Sequence, residues 1–125
     1  MICIDANIVL DIILQRTNKS VCEDYLRQGN QEFAVTTLTV SLVMYFAEMK
    51  NIKLREVQGL LERFTWLSVA SEDGEWAFKN YNDDDYEDAM QIGCAIRNKC
   101  DRFATLDKGL FKKYQNTLSV DLLNK

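Results

Sequence analysis

Short apolar runs of strand length alternate with segments of helical period along this whole chain, and that alternation admits few folds. MICID (1–5), EFAV (32–35), WLSVA (66–70) and RFATL (102–106) read as buried strands, and TLSVDLL (117–123) as a closing edge strand. Between them, Ile8, Val9, Ile12 and Ile13 repeat at helical spacing over 6–15. Asn18 or Ser20 is placed to cap a second helix reaching about Gln28, with Gly29 as its stop. A helix from Thr36 or Thr37 to Lys50 is apolar almost all round, which predicts a central position. The segment 53–64 carries Val57, Leu60, Leu61 and Phe64 on one face. Ser71 and Asn82 are the expected caps of helices reaching Lys79 and Lys99, and Leu110, Phe111 and Tyr114 mark a last short helix. Strands that alternate with helices require right-handed crossovers, hence a mainly parallel sheet covered on both faces.

The chain has 125 residues and no proline, repeat or linker, which predicts a single domain over 1–125. No apolar run is long enough to span a bilayer, and Asp5 interrupts the first apolar stretch at once, so the expectation is a cytoplasmic protein without membrane contact. The four cysteines, Cys3, Cys22, Cys94 and Cys100, form no C-x-x-C pair and read as reduced, buried thiols. There is no histidine, which removes His-based triads and His-ligated zinc. Chemistry must therefore fall to carboxylates, amides, hydroxyls, lysines or a metal. The net charge of −4 opposes phosphate binding unless cations reverse the local field.

Carboxylates stand where a parallel sheet gathers its functional groups, at the carboxyl ends of strands. Asp5 ends the first strand and Asp107 follows RFATL. NDDDYEDAMQ (82–91) opens a helix with Asp83, Asp84, Asp85, Glu87 and Asp88. Capping explains the first of these: Asn82 as N-cap with Asp85 at N3 is a variant capping box, and acids in a first turn favour the helix dipole. Asp88 is different, because it lies in line with Ile92 and Ile96 on an apolar stripe and so requires a cationic partner, either a basic side chain or a shared metal. Carboxylates that converge raise each other's pKa unless a cation stands between them, and oxygen ligands suit Mg²⁺ or Mn²⁺.

The segments ICIDANIVLDIIL (2–14), TTLTVSLVMYFAEMK (36–50) and DDYEDAMQIGCAIRNKCDRFATLDKGLF (84–111) follow one another as in PIN domains. The chain resembles most the small bacterial VapC-like toxins of toxin–antitoxin pairs. The most specific part runs from Asp85 to Gln91, then Ala95, Asp101, Phe103, Thr105, Asp107 and Phe111. The resemblance implies a three-layer α/β/α sandwich around a mainly parallel sheet of four or five strands. It implies a Mg²⁺- or Mn²⁺-dependent endoribonuclease acting on RNA phosphodiesters, an antitoxin partner and a homodimer. Residue by residue, it makes Asp5, Asp88 and Asp107 the metal-binding catalytic acids, Asn7 the amide supporting the first and Thr105 the hydroxyl beside the last.

One position departs from the family pattern. A glutamate early in the helix after the second strand is replaced, on this alignment, by Leu42; Glu48 lies six positions on, about 240° around the helix. Asp84 or Asp85 is the alternative source of that charge. Lys108 is a candidate phosphate contact, and Lys50, Lys53 and Arg55, with Lys112 and Lys113, are candidate backbone contacts. Tyr25, Leu26, Val57, Leu60 and Leu61 are candidate antitoxin-groove residues. The competing reading is a PIN scaffold that binds protein or RNA without cutting. A receiver-like phosphoacceptor would need a lysine at a late strand end, where Asp107 stands. A haloacid-dehalogenase-like phosphatase would need Asp-x-Asp where Asp5-Ala6-Asn7 stands.

Overall fold

The computed structural model describes residues 1–81 and 85–124. The strands are β1 (Ile2–Ile4), β2 (Phe33–Thr36), β3 (Thr65–Leu67), β4 (Arg102–Thr105) and β5 (Ser119–Leu122). The helices are α1 (Ala6–Ile13), α2 (Lys19–Leu26), α3 (Thr37–Met49), α4 (Leu54–Leu61), α5 (Ser71–Asn80), α6 (Tyr86–Arg97) and α7 (Lys108–Tyr114). All five strands pair in parallel in the order β3-β2-β1-β4-β5. The chain steps from β1 outward to β2 and β3, then returns to lay β4 on the other side of β1. A crevice therefore opens at the carboxyl ends of β1 and β4, the place where sheets of this kind bind ligands.

Strand alternation builds the three layers. Ile2 and Ile4 of β1, Val35 of β2 and Ala104 of β4 face one way and pack against Ile8 and Val9 of α1, Val43 of α3 and Val57 of α4. Cys3, Ala34 and Phe103, one residue out of phase, face the other way onto Ala77 of α5, Ile92 of α6 and Leu110 of α7. The predicted parallel α/β/α sandwich and the edge position of β5 are both present.

Local details depart from expectation in instructive ways. α3 is not central: only Thr39, Val43 and Ala47, one line at i, i+4 and i+8, are buried, while Tyr45 and Met49 are exposed. Its apolar outer side instead forms a surface with Leu54 of α4 and Trp66 of β3. α2 ends at Leu26, before Gly29. α5 starts from Ala70, not from a Ser71 cap, because the buried carboxylate of Asp73 accepts the Ala70 backbone N–H at 2.8 Å. α6 starts at Tyr86 with Asp85 in the N-cap position at φ 64°, so Asp85 precedes the helix rather than filling its N3 slot; Asn82, the expected cap, lies outside the described residues, with Asp83 and Asp84.

Candidate active site

The crevice is built from two strand ends and one helix start. Asp5 continues the β1 ladder, its N–H donating to Ala104 O at 2.9 Å, and its side chain is 4% exposed. Thr105, the last residue of β4, donates its hydroxyl to Asp5 Oδ2 at 2.7 Å. The same hydroxyl oxygen accepts the Asp107 backbone N–H at 3.0 Å and Asn7 Nδ2 at 3.3 Å. Asn7 Oδ1 accepts the Leu106 N–H at 3.3 Å. Asn7 thus supports Asp5 through Thr105, not by direct contact, and one hydroxyl ties β1, α1 and the α7 start into a single frame.

Asp107 is exposed at the N-cap of α7. Its Oδ1 accepts the N–H groups of Gly109 at 2.8 Å and Leu110 at 3.3 Å, which leaves Oδ2 for other work. A Cβ at Gly109 would lie 3.1 Å from that Oδ1, which accounts for glycine at this position. Asp88, half-buried in the first turn of α6, borders the crevice from the other side, with Asp85 and Glu87 exposed near it.

The charges are poorly compensated. Burial pushes the Asp5 carboxyl up to about 6; Thr105 and the Ala6 N–H oppose the rise, and the charges of Asp107 and Glu87 add to it. Burial pushes Asp88 up to about 7, reinforced by Asp5, Asp85, Asp107 and Glu87. Asp88 is less buried than Asp5, but its main influences after burial are four acids, whereas Asp5 has the Thr105 hydroxyl and the Ala6 N–H to oppose its rise. The predicted acids Asp5, Asp88 and Asp107, with Asp85, therefore share one electrostatic field.

They do not close into a cage. Among the described residues no three acidic or sulfur side chains come together as a group able to hold an ion. The capping bond that turns Asp107 toward α7 is one physical reason. The donor set itself fits a hard divalent cation: it is all oxygen, partly buried and short of positive charge. Magnesium characteristically keeps several waters and needs only one or two carboxylates, so an open cluster is compatible with it.

Two polar features escaped sequence reading. Thr39, at the third position of α3, donates its hydroxyl to Gln91 Oε1 at 2.8 Å, and its own N–H caps onto Thr36 Oγ1 at 3.2 Å. Gln91 is 1% exposed and its Nε2 has no partner among the described residues. Gln91 lies one turn after Asp88, so the α3 side chain that reaches the acid-bearing helix is Thr39. Leu42 is half-buried in the apolar layer on the α1–α4 side. The signal was the T-x-x-T spacing at 36–39, a capping arrangement hidden in a threonine-rich stretch. The second feature is Tyr114 of α7, 3% exposed, whose hydroxyl has no partner among the described residues and whose pKa is raised by burial and by the charges of Asp88 and Asp85.

The candidate cations divide by position. Lys108 is exposed directly beside Asp107. Lys50, Lys53 and Arg55 lie past the far end of α3, which runs away from the crevice, so they are at the opposite rim. No helix among the described residues is long and apolar enough to cross a membrane.

Comparison with known proteins gives one family and several structural relatives. A model of the PIN domain matches residues 2–116. No curated protein matches the sequence. A chain of a toxin–antitoxin complex from Klebsiella pneumoniae superposes with a TM-score of 0.78 at 17% identity, covering 98% of both chains. A chain of VapBC2 from Rickettsia felis, bound to a DNA fragment from its promoter, gives 0.74 at 15% identity, again covering 98% of both. A chain of FitAB bound to an IR36 DNA fragment gives 0.76 at 17% identity, covering 100% of this chain and 96% of that one.

Proposed function

Because the chain belongs to the PIN-domain family, we propose that it is a Mg²⁺- or Mn²⁺-dependent endoribonuclease and the toxin of a toxin–antitoxin pair. The observation that carries this reading is the set of under-compensated carboxylates at the carboxyl ends of β1 and β4, framed by the Thr105 hydroxyl. Asp5, Asp88 and Asp107 would hold the metal, with Asp107 using the oxygen left free by its cap and Asp85 at the margin. A bound divalent ion would supply a Lewis acid for the scissile phosphate and a water of lowered pKa for in-line attack. Thr105 and Asn7 fix the Asp5 carboxylate in place, so that it need not reorganise when substrate arrives. Lys108 stands where it can contact a phosphate flanking the crevice.

We assign the two proposed partners to different faces. Val57 and Leu61, two of the five candidate groove residues, are core side chains 0% and 2% exposed, and cannot contact an antitoxin. Tyr25, Leu26 and Leu60 remain: the Tyr25 hydroxyl is turned to Asp121, while Leu26 and Leu60, with Ile12, lie along a shallow groove between α1, α2 and α4 that an apolar helix can fill. The exposed side of α3, with Tyr45, Leu54 and Trp66, is the face we assign to a homodimer.

The test is calorimetric titration of Mn²⁺ alongside cleavage of an end-labelled RNA pool. Asp5→Asn and Asp88→Asn are expected to lose saturable Mn²⁺ binding and to cut at least about a hundredfold more slowly while remaining folded. Retained cleavage in either variant sinks the assignment. The second reading, a scaffold that binds without cutting, is favoured by the open cluster and by the neutral Thr39–Gln91 pair early in α3. Absence of binding at millimolar Mn²⁺ would select it.

A further inference from the structure

Beside the start of α6, next to the acid cluster, three aromatic rings stand together. Tyr86 is the first residue of α6, between Asp85 at the N-cap and Asp88 in the first turn. Its hydroxyl donates to Gly74 O in α5 at 3.2 Å, which ties the half-buried ring to the neighbouring helix. Phe78 lies one turn after Gly74 on the same face of α5, its ring centroid 5.0 Å from that of Tyr86 at an interplanar angle of 47°. Tyr81, at the end of α5, meets Tyr86 edge-on at 5.4 Å and 89°. One ring is thus held by a hydrogen bond, and the other two lean on it.

The needs of the fold do not account for this group. Phe78 is 72% exposed, the most of any large apolar side chain among the described residues, and Tyr81 is 36% exposed. A lone exposed phenylalanine is ordinary, but three contiguous rings, one of them tethered, form a patch that marks a binding surface. Tyr86 packs with the α5–α7 layer, so the patch is not continuous with the apolar surface of α3 on the other side of the sheet. Charge then selects the occupant. Lys79 follows Phe78 in the last turn of α5 and is exposed. It opposes a cationic side chain on the open Phe78 ring and favours a phosphate there. Asp85 and Glu87, exposed on either side of Tyr86, belong to the field of the crevice and repel a phosphate chain until a cation binds. Stacking is the attraction for RNA at this rim that does not depend on charge.

We propose that Phe78, Tyr81 and Tyr86 form a stacking platform for an unpaired nucleobase flanking the scissile phosphate, with Lys79 beside the phosphate of that nucleotide. The proposal rests on the ribonuclease reading of the crevice, which is what brings RNA to this edge. Phe78 supplies the open face, and Tyr86, fixed to Gly74 O, holds that face in place so that little ordering is needed on binding. Every base has a π-face, so the platform selects single-stranded RNA rather than a sequence; a base inside a duplex has both faces covered. The contact is made to a base and not at the reacting atoms. It therefore acts mainly on KM and leaves kcat to the acid cluster.

The full chain would be titrated with short single-stranded RNAs carrying fluorescent 2-aminopurine at each position in turn, in Ca²⁺ to slow cleavage. The expected result is quenching at one position of the bound RNA. Phe78→Ala, at an exposed site, should fold, lose that quenching and weaken binding about tenfold. In cleavage assays its KM should rise about as much and its kcat change little. Phe78→Trp should retain both quenching and affinity. Absence of RNA binding by the wild type, or unchanged quenching and affinity in Phe78→Ala, overturns the proposal. The same holds if Phe78→Ala leaves RNA binding intact but loses affinity for an arginine-rich peptide or falls from dimer to monomer, which would give the patch to a protein. Cleavage that is indifferent to Phe78→Ala removes the platform and spares the nuclease. Phe78-dependent quenching without any cleavage by the wild type supports the platform and counts against the nuclease reading alone.

Discussion

Withdrawn carboxylates in this molecule fall into two kinds with opposite surroundings. Asp73, 1% exposed in α5, receives Arg97 Nε at 2.8 Å and Nη2 at 3.1 Å as well as the Ala70 N–H at 2.8 Å. Its burial favours the neutral acid, but the guanidinium and the N–H outweigh that and hold its carboxyl below the usual range. Arg97 also reaches Ser68 O at 2.6 Å, so one ion pair clamps α5, α6 and the loop after β3. Asp5 and Asp88 are withdrawn from water too, but face one another and further acids, and both rise. An acid that serves the fold comes with its counter-charge. An acid without one either takes up a proton or calls for a cation from outside the chain.

The contrast breaks most sharply at Arg97. Arg97→Met leaves Asp73 buried without its cation, and removing one partner of such a pair is costly. Arg97 is about one-third exposed, so water partly replaces it, and the expected loss is about 3 kcal/mol in urea unfolding rather than the larger figure for a sealed pair. Asp73→Asn with Arg97→Met should recover part of this. A loss below about 1 kcal/mol would show that Asp73 is not the compensated acid its geometry describes.

The next largest effect is a pH profile whose sign separates the two kinds of acid. Asp73 has a depressed folded pKa, so its stabilisation is present above the unfolded value and disappears as pH falls through the folded one. Asp5 and Asp88 have folded values of about 6 and 7 against 3.8 unfolded, so the folded state holds protons that the unfolded state has released. Stability from these two is complete below about pH 4 and declines as pH rises to about 7. Without metal, the chain should therefore be most stable in mildly acid buffer. Asp88→Asn should remove about 2 kcal/mol of the decline toward pH 8, a figure reduced for the solvent that reaches this half-buried site. Saturating Mn²⁺ should flatten the wild-type profile and leave that of the variant unchanged. A wild-type profile that climbs from pH 4 to 7 would contradict the uncompensated cluster.

What the sequence disclosed follows the same division. Elements with a strong period were legible: the apolar runs ending at Asp5 and Asp107 fixed two strand ends, and parallel topology alone put them on one edge. The family pattern added Asn7 and Thr105, and the structure links them, although the Asn7–Thr105–Asp5 route depends on rotamers that no spacing specifies. Contacts made by neutral side chains across long sequence separation were not legible. The T-x-x-T spacing at 36–39 marks the cap between Thr36 and Thr39, but not that Thr39 meets Gln91, 52 positions on. The apolar character of α3 also misled, because a helix that is apolar on every side fits a surface awaiting a partner as well as it fits a core.

The smallest expected effect tests that last point. Glu48, the acid nearest in sequence to the missing family glutamate, is exposed near the far end of α3 and lines a cleft with Ser41, Met44 and Tyr45. Its helix starts at the crevice and runs away from it, so Glu48 belongs with the α3 surface and not with Asp5. Glu48→Gln should shift stability by no more than about 0.5 kcal/mol and leave Mn²⁺ affinity unchanged. Gln91→Glu, by contrast, places a fourth carboxylate one turn after Asp88 and should tighten Mn²⁺ binding. If Glu48→Gln weakened Mn²⁺ binding while Gln91→Glu did nothing, the fourth ligand would have to come from the α3 surface. The separation drawn between the acid edge and the apolar face of α3 would then fail.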